Sequence, residues 1–114
     1  MTAVTFSEKG NKFSIYIDGH AGYNPAGPDI VCAACSTLAY TLLQSVLSLE
    51  SKGSISSLTY GDDPEKGTFF LELIADGDVL CPLRTVFQVI INGYALLEHK
   101  YPKNVKLCVT SGEK

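Results

Sequence analysis

From Pro82 to about His99, apolar residues return every three or four positions: Leu83, Val86, Phe87, Ile90, Ile91, Tyr94 and Leu97. That spacing predicts an amphipathic helix with Pro82 in its first turn, and a helix with one apolar face has to lay it against a second layer. Short alternating runs supply that layer. Val4 and Phe6, then Phe13, Ile15 and Ile17, alternate with polar residues around the turn Glu8-Lys9-Gly10-Asn11, which predicts an N-terminal β-hairpin. Strands near 55–60 and 68–74 flank Gly61-Asp62-Asp63-Pro64-Glu65-Lys66-Gly67 as a second hairpin, and a last strand over 105–109 follows Pro102. Another helix is predicted from Ile30 to about Leu49. The order ββαββαβ therefore predicts an α+β two-layer sandwich, with two helices packed on a mostly antiparallel sheet. At 114 residues, 46% of them hydrophobic, the chain is expected to form one domain, with no internal repeat, linker or low-complexity segment.

The chemistry-bearing residues gather between the second strand and the first helix, in Gly19-His20-Ala21-Gly22 and Gly27-Pro28-Asp29-Ile30-Val31-Cys32-Ala33-Ala34-Cys35-Ser36. Pro28 restricts the residue before it, Asp29 is a favoured N-cap, and Ile30 opens a helix-compatible run, so the helix is expected to begin at Asp29. Cys32 then falls in the first turn, where unpaired N–H groups and the positive end of the macrodipole favour a thiolate. His20 is the expected partner for its proton, and the helix-start N–H groups are expected to receive an oxyanion. An Asp29 carboxylate close to the sulfur would oppose the thiolate, so its expected tasks are capping the helix and orienting His20. The glycine- and proline-rich loop 21–28, with Gly22, Tyr23 and Gly27, is a candidate lid over a substrate.

Charge and cysteine usage narrow the functional classes. A net charge of −3 with nine scattered Lys and Arg argues against direct nucleic-acid binding. The four cysteines come without a secretory signal, so a reduced cytoplasmic protein is expected. The uncharged stretch from Ile30 to Leu49 is long enough to span a bilayer, but Ser36, Thr37, Thr41, Gln44, Ser45 and Ser48 interrupt it and no cluster of Lys or Arg anchors its ends. A helix buried on most sides, in the core or at a subunit interface, is expected instead of a membrane span.

Three rival functions use the same residues. Cys32-Ala33-Ala34-Cys35 has the spacing of a thiol redox pair at a helix start. A zinc site could borrow Cys32, Cys35 and His20 with Cys81 or Cys108, but lacks a second Cys-x-x-Cys or His pair, and no metal is expected. The nearly uncharged first helix would also suit a non-enzymatic dimerisation module. Cys81 and Cys108 read most simply as core or near-core thiols, and Asp62, Asp63, Glu72, Asp76 and Asp78 as solvated strand and turn residues.

Gly19-His20, Gly27, Asp29-Ile30-Val31-Cys32-Ala33 and Ser36 resemble the motif of the ribosomal-processing cysteine proteases, the small bacterial Prp family. Length and element order resemble that family across nearly the whole chain, whereas the specific motif covers 19–36. The resemblance implies a cofactor-free Cys–His endopeptidase, typically a homodimer. Its implied substrate is large-subunit ribosomal protein twenty-seven, whose short N-terminal extension is removed by a cut after a phenylalanine and before a small residue. It further implies that Cys32 is the nucleophile and His20 the general base, with Asp29 and Ser36 as supporting groups. Cys35 departs from the family pattern, which more commonly has an aliphatic or small residue there.

Overall fold

The computed structural model of the chain describes residues 1–24, 29–50 and 53–112. Its elements run β1 (Thr2–Lys9), β2 (Lys12–Asp18), α1 (Ile30–Glu50), β3 (Ile55–Asp63), β4 (Thr68–Ala75), α2 (Leu80–Lys100) and β5 (Val105–Gly112), with a single 3₁₀ turn over Gly77–Val79. The expected order ββαββαβ is therefore the observed one. The strands form one five-stranded sheet in the order β3-β4-β2-β1-β5, antiparallel throughout except where β5 lies parallel to β1.

Connectivity explains why the molecule has two layers and not three. The crossovers β2-α1-β3 and β4-α2-β5 start from oppositely directed strands and move toward opposite edges of the sheet. Right-handed crossovers of that kind place both helices on the same face. There α1 and α2 pack against each other and against the inward-facing residues of the strands.

Register decides what those inward-facing residues are. Leu107, Val4, Ile17, Phe69 and Asp62 form one row across the sheet, and Phe6, Ile15, Leu71 and Tyr60 belong to the next row on the same face. The central residues of these rows are buried beneath the helices, whereas the alternate positions Thr5, Tyr16 and Glu72 point to the other face.

Helix α2 buries Leu83, Phe87, Ile90 and Tyr94, the stripe its periodicity predicts. Phe87 meets Phe6 edge-on at 6.0 Å and Phe13 at 5.2 Å. Tyr94 is fully buried and donates its hydroxyl to the Cys35 carbonyl at 2.7 Å, which joins the two helices. Helix α1 buries Val31, Cys35, Ala39, Leu42 and Val46 along one side and packs on the sheet and on α2; it and α2 are both long and apolar enough to cross a bilayer by length and composition.

Some boundaries and two burial expectations need correction. Helix α2 starts at Leu80, two residues before Pro82, because the 3₁₀ turn runs directly into it. Strand β3 continues through Asp63, which shortens the expected turn to 64–67. Cys81 and Cys108 are exposed and are not core thiols. Cys108 pairs with Thr5, a register that turns it to the open face of the sheet, and Cys81 precedes buried Leu83 by two positions, which puts it on the outer side of the helix.

Candidate active site

His20 follows β2 on a main chain that is held from both sides. The Gly19 N–H donates to the Gly67 carbonyl at 2.9 Å, and the Gly19 carbonyl accepts from the Thr2 hydroxyl at 3.0 Å. Gly19 has φ +96°, and a Cβ there would lie 2.5 Å from the Met1 carbonyl oxygen, so a side chain is sterically excluded. Beyond His20, the Ala21 carbonyl accepts from the Asn104 side-chain amide at 3.0 Å. The imidazole itself is exposed, with Nε2 3.0 Å from the Glu65 carbonyl and the ring resting against Gly67.

Cys32 is placed by Asp29. One carboxylate oxygen accepts from the Val31 and Cys32 N–H groups, each at 2.9 Å, and the other from Tyr23 at 2.9 Å and Asn24 at 3.4 Å. Burial acts to raise this carboxyl, but the four N–H donors outweigh it and hold the group below its ordinary value. Asp29 thus caps α1 and ties the loop to it. The half-buried Cys32 presents Sγ to the Ala21 N–H, which donates to it at 3.1 Å.

This arrangement corrects two expectations. Of the helix-start N–H groups expected to receive an oxyanion, those of Val31 and Cys32 are already engaged by Asp29. Asp29 also does not orient His20, because its oxygens are turned to the backbone donors of α1 and of Tyr23 and Asn24 while the imidazole is held from the β3–β4 turn. Of the candidate lid residues, Gly22 and Tyr23 are exposed, and Tyr23 meets Tyr101 edge-on at 5.3 Å. Gly27 and Pro28 lie outside the described residues.

His20, Cys32 and Ser36 open onto one cavity of about 270 Å³, with Ile17, Ala39 and Phe69 among its apolar lining residues. No hydrogen bond joins His20 to Cys32 among the described residues. The cavity also brings in two residues that sequence reasoning missed, Tyr40 and Asp62, with the Tyr40 hydroxyl donating to the Asp62 carboxylate. That hydrogen bond, with some burial and the carboxylate charge, raises the Tyr40 phenol. Tyr40 had a legible signal, since it follows Cys32 and Ser36 at four-residue steps along one side of α1. Asp62 had none, because only the register opposite Phe69 turns it toward the helices.

Cys35 lines the same cavity but belongs to the core. Burial first, then the charges of Cys32 and Asp29, push its thiol up to about 11. A resolving thiol attacks as the thiolate, so this environment opposes the redox reading. Among the described residues, no three His, Cys, Asp or Glu side chains are grouped to hold a metal ion.

A thiol at the start of a capped helix, sharing a cavity with an imidazole on a neighbouring strand end, equips a small α+β domain for acyl transfer through sulfur, the chemistry of cysteine hydrolases. The profile of the family described as cysteine protease Prp matches residues 1–106, and the chain belongs to that family and is a cysteine protease. It is 24% identical over 104 residues to the ribosomal processing cysteine protease Prp of Staphylococcus aureus, covering 91% of this chain and 92% of that protein. Its fold is shared by the crystal structure of the essential ribosomal processing protease Prp from S. aureus with a covalently linked product peptide, at a TM-score of 0.77 and 22% identity, over 96% of this chain and 99% of that one. The crystal structure of SMU.848 from Streptococcus mutans is similar too, with a TM-score of 0.71 and 24% identity over 97% of this chain and 95% of that one.

Proposed function

We propose that this single-domain protein removes the N-terminal extension of large-subunit ribosomal protein twenty-seven in the bacterial cytoplasm, with Cys32 as nucleophile and His20 as general base. The observation that carries the reading is the shared cavity, on which a cysteine in the first turn of α1 and a histidine at the end of β2 both open. Ile17, Ala39 and Phe69 offer apolar surface suited to the phenylalanine before the scissile bond.

In the forward step Sγ gives its proton to His20 and attacks the scissile carbonyl carbon, and the carbonyl π pair moves onto oxygen. The Ala21 N–H, already directed at Sγ, is a donor beside the carbon–sulfur bond as it forms. Collapse of the tetrahedral intermediate breaks the C–N bond, and His20 returns the proton to the departing amine. Water then hydrolyses the thioester. Catalytic hydrogen bonds commonly tighten only with substrate bound, which accommodates a resting structure without a His20–Cys32 bond.

Asp29 supports this chemistry by fixing the start of α1, and Ser36 by lining the cavity one turn beyond the nucleophile. The loop carrying Gly22, Tyr23 and Gly27 acts as the lid, and the working enzyme is a homodimer whose partner is the extension peptide, with no direct part for nucleic acid or membrane.

Cleavage of a peptide carrying that extension tests the reading. Wild type and Cys35→Ser cut it, whereas folded Cys32→Ala and His20→Ala lose at least about 10⁴-fold in kcat/KM. Undiminished cutting by Cys32→Ala would overturn it.

A further inference from the structure

We propose that the β3–β4 turn is the positioning element of the dyad, and that it makes Nδ1 of His20 the nitrogen that takes the proton from Cys32. The inference rests on the Cys–His reading above and concerns which group orients the imidazole. Catalytic histidines need a partner that selects one tautomer and one ring orientation. Asp29, the acidic residue of the motif, is committed to four backbone N–H groups and cannot fill that role.

The turn supplies the partner from its main chain. Nε2 of His20 lies 3.0 Å from the Glu65 carbonyl oxygen. A carbonyl only accepts, so Nε2 carries the hydrogen, and in the neutral ring Nδ1 is left with its lone pair.

Gly67 makes the approach possible. A Cβ at this position would lie 3.1 Å from both Cε1 and Nδ1 of His20 and 3.0 Å from the Gly19 carbonyl carbon, tighter than ordinary packing. Its φ of +69° also disfavours any L side chain. The Gly67 carbonyl further accepts from the Gly19 N–H at 2.9 Å, so one short turn fixes both the main chain before His20 and the ring itself.

In the reaction the Sγ proton passes to Nδ1 and then to the departing amine. The Nε2–H stays on the Glu65 carbonyl throughout, where the acceptor dipole favours the transient imidazolium. No other group has to gain or lose a proton.

The proposal predicts a spectroscopic signature and a kinetic one. In long-range ¹H–¹⁵N correlation spectra at a pH above the ordinary histidine range, His20 of the resting enzyme shows a protonated Nε2 and an unprotonated Nδ1. With two histidines in the chain, a His99→Gln sample assigns the signals. In cleavage of the extension peptide, Gly67→Ala lowers kcat by at least about tenfold with KM within about twofold, and its His20 no longer shows the single Nε2–H tautomer.

Gly10→Ala is the matched control. Gly10 has φ +61° in the β1–β2 turn, and a Cβ there would meet nothing within 4 Å, so this variant imposes the same backbone strain without touching His20. It is expected to cut like wild type. A proton on Nδ1 in the wild-type enzyme, or a folded Gly67→Ala that cuts as fast as Gly10→Ala, would overturn the positioning role while leaving the protease reading intact. Cutting by Cys32→Ala would remove the protease reading instead.

Discussion

The two helices are equal in length, 21 residues each, and share one face of the sheet, yet they begin in opposite ways. Helix α1 starts on an aspartate that accepts hydrogen bonds from four backbone N–H groups. Helix α2 emerges from a 3₁₀ turn, and its N-cap, Val79, makes no side-chain capping bond. The interiors differ as well. Both helices bury one stripe, Leu83, Phe87, Ile90 and Tyr94 in α2 and Val31, Cys35, Ala39, Leu42 and Val46 in α1, but α1 also turns Cys32, Ser36 and Tyr40 toward the cavity. A helix that only has to fill space is held adequately by burial of its stripe. One that holds a thiol at a cavity also needs its end fixed, because rotation or fraying of the first turn would displace Sγ.

The largest stability effect is expected in the scaffold helix. Leu83 is fully buried, and Leu83→Ala should cost about 2–5 kcal/mol in denaturant unfolding. Well below its melting temperature, kcat/KM on the extension peptide should stay near wild type. A matching loss of kcat/KM would break the division of labour between the helices.

Asp29→Ala reverses the balance. Loss of the cap should cost only about 1 kcal/mol, but freeing both the start of α1 and the Tyr23–Asn24 loop should lower kcat/KM by at least about tenfold. The pH dependence has a definite sign. Because the folded carboxyl sits below its ordinary value of 3.8, its contribution is present in full above that value and is lost as pH falls through the lowered folded one. The stability difference between wild type and Asp29→Ala should therefore be constant near neutrality and shrink in strong acid.

Tyr94→Phe probes the seam between the helices. It removes the hydroxyl bonded to the Cys35 carbonyl while keeping the ring in the core, and should cost about 1 kcal/mol with cleavage retained. The smallest change belongs to the outer side of α2, where Leu96 is 71% exposed, so Leu96→Ser should shift stability by no more than about 0.5 kcal/mol. A larger shift in the isolated enzyme would show that this side of α2 is covered in solution.

Periodicity made much of the fold legible. The three- and four-residue recurrence in 83–97 and the alternation in 4–6 and 13–17 carry enough signal to name helix, strand and buried face together, because burial selects side chains at the period of the backbone. Element ends were less legible: nothing in Asp76-Gly77-Asp78 announces the 3₁₀ turn that starts α2 early. Cys81 and Cys108 were misplaced by composition, since thiols are commonly buried but face and register decide each case.

The site divides along the same line. Asp29 as a cap, Cys32 in the first turn and His20 across the loop follow from local chemistry, because capping and helix starts are written within a few consecutive residues. What touches His20 is not local. The Glu65 carbonyl and Gly67 reach the imidazole, and Asp62 reaches the cavity, only because β4 pairs with β2 and β3 in one particular register, and that register is set by which apolar rows the two helices bury. The amino-acid sequence by itself determined the elements, the place of Cys32 on its helix and the class of chemistry, whereas the tertiary structure alone decided that the Glu65 carbonyl and Gly67 face the imidazole, since those contacts join residues more than forty positions apart.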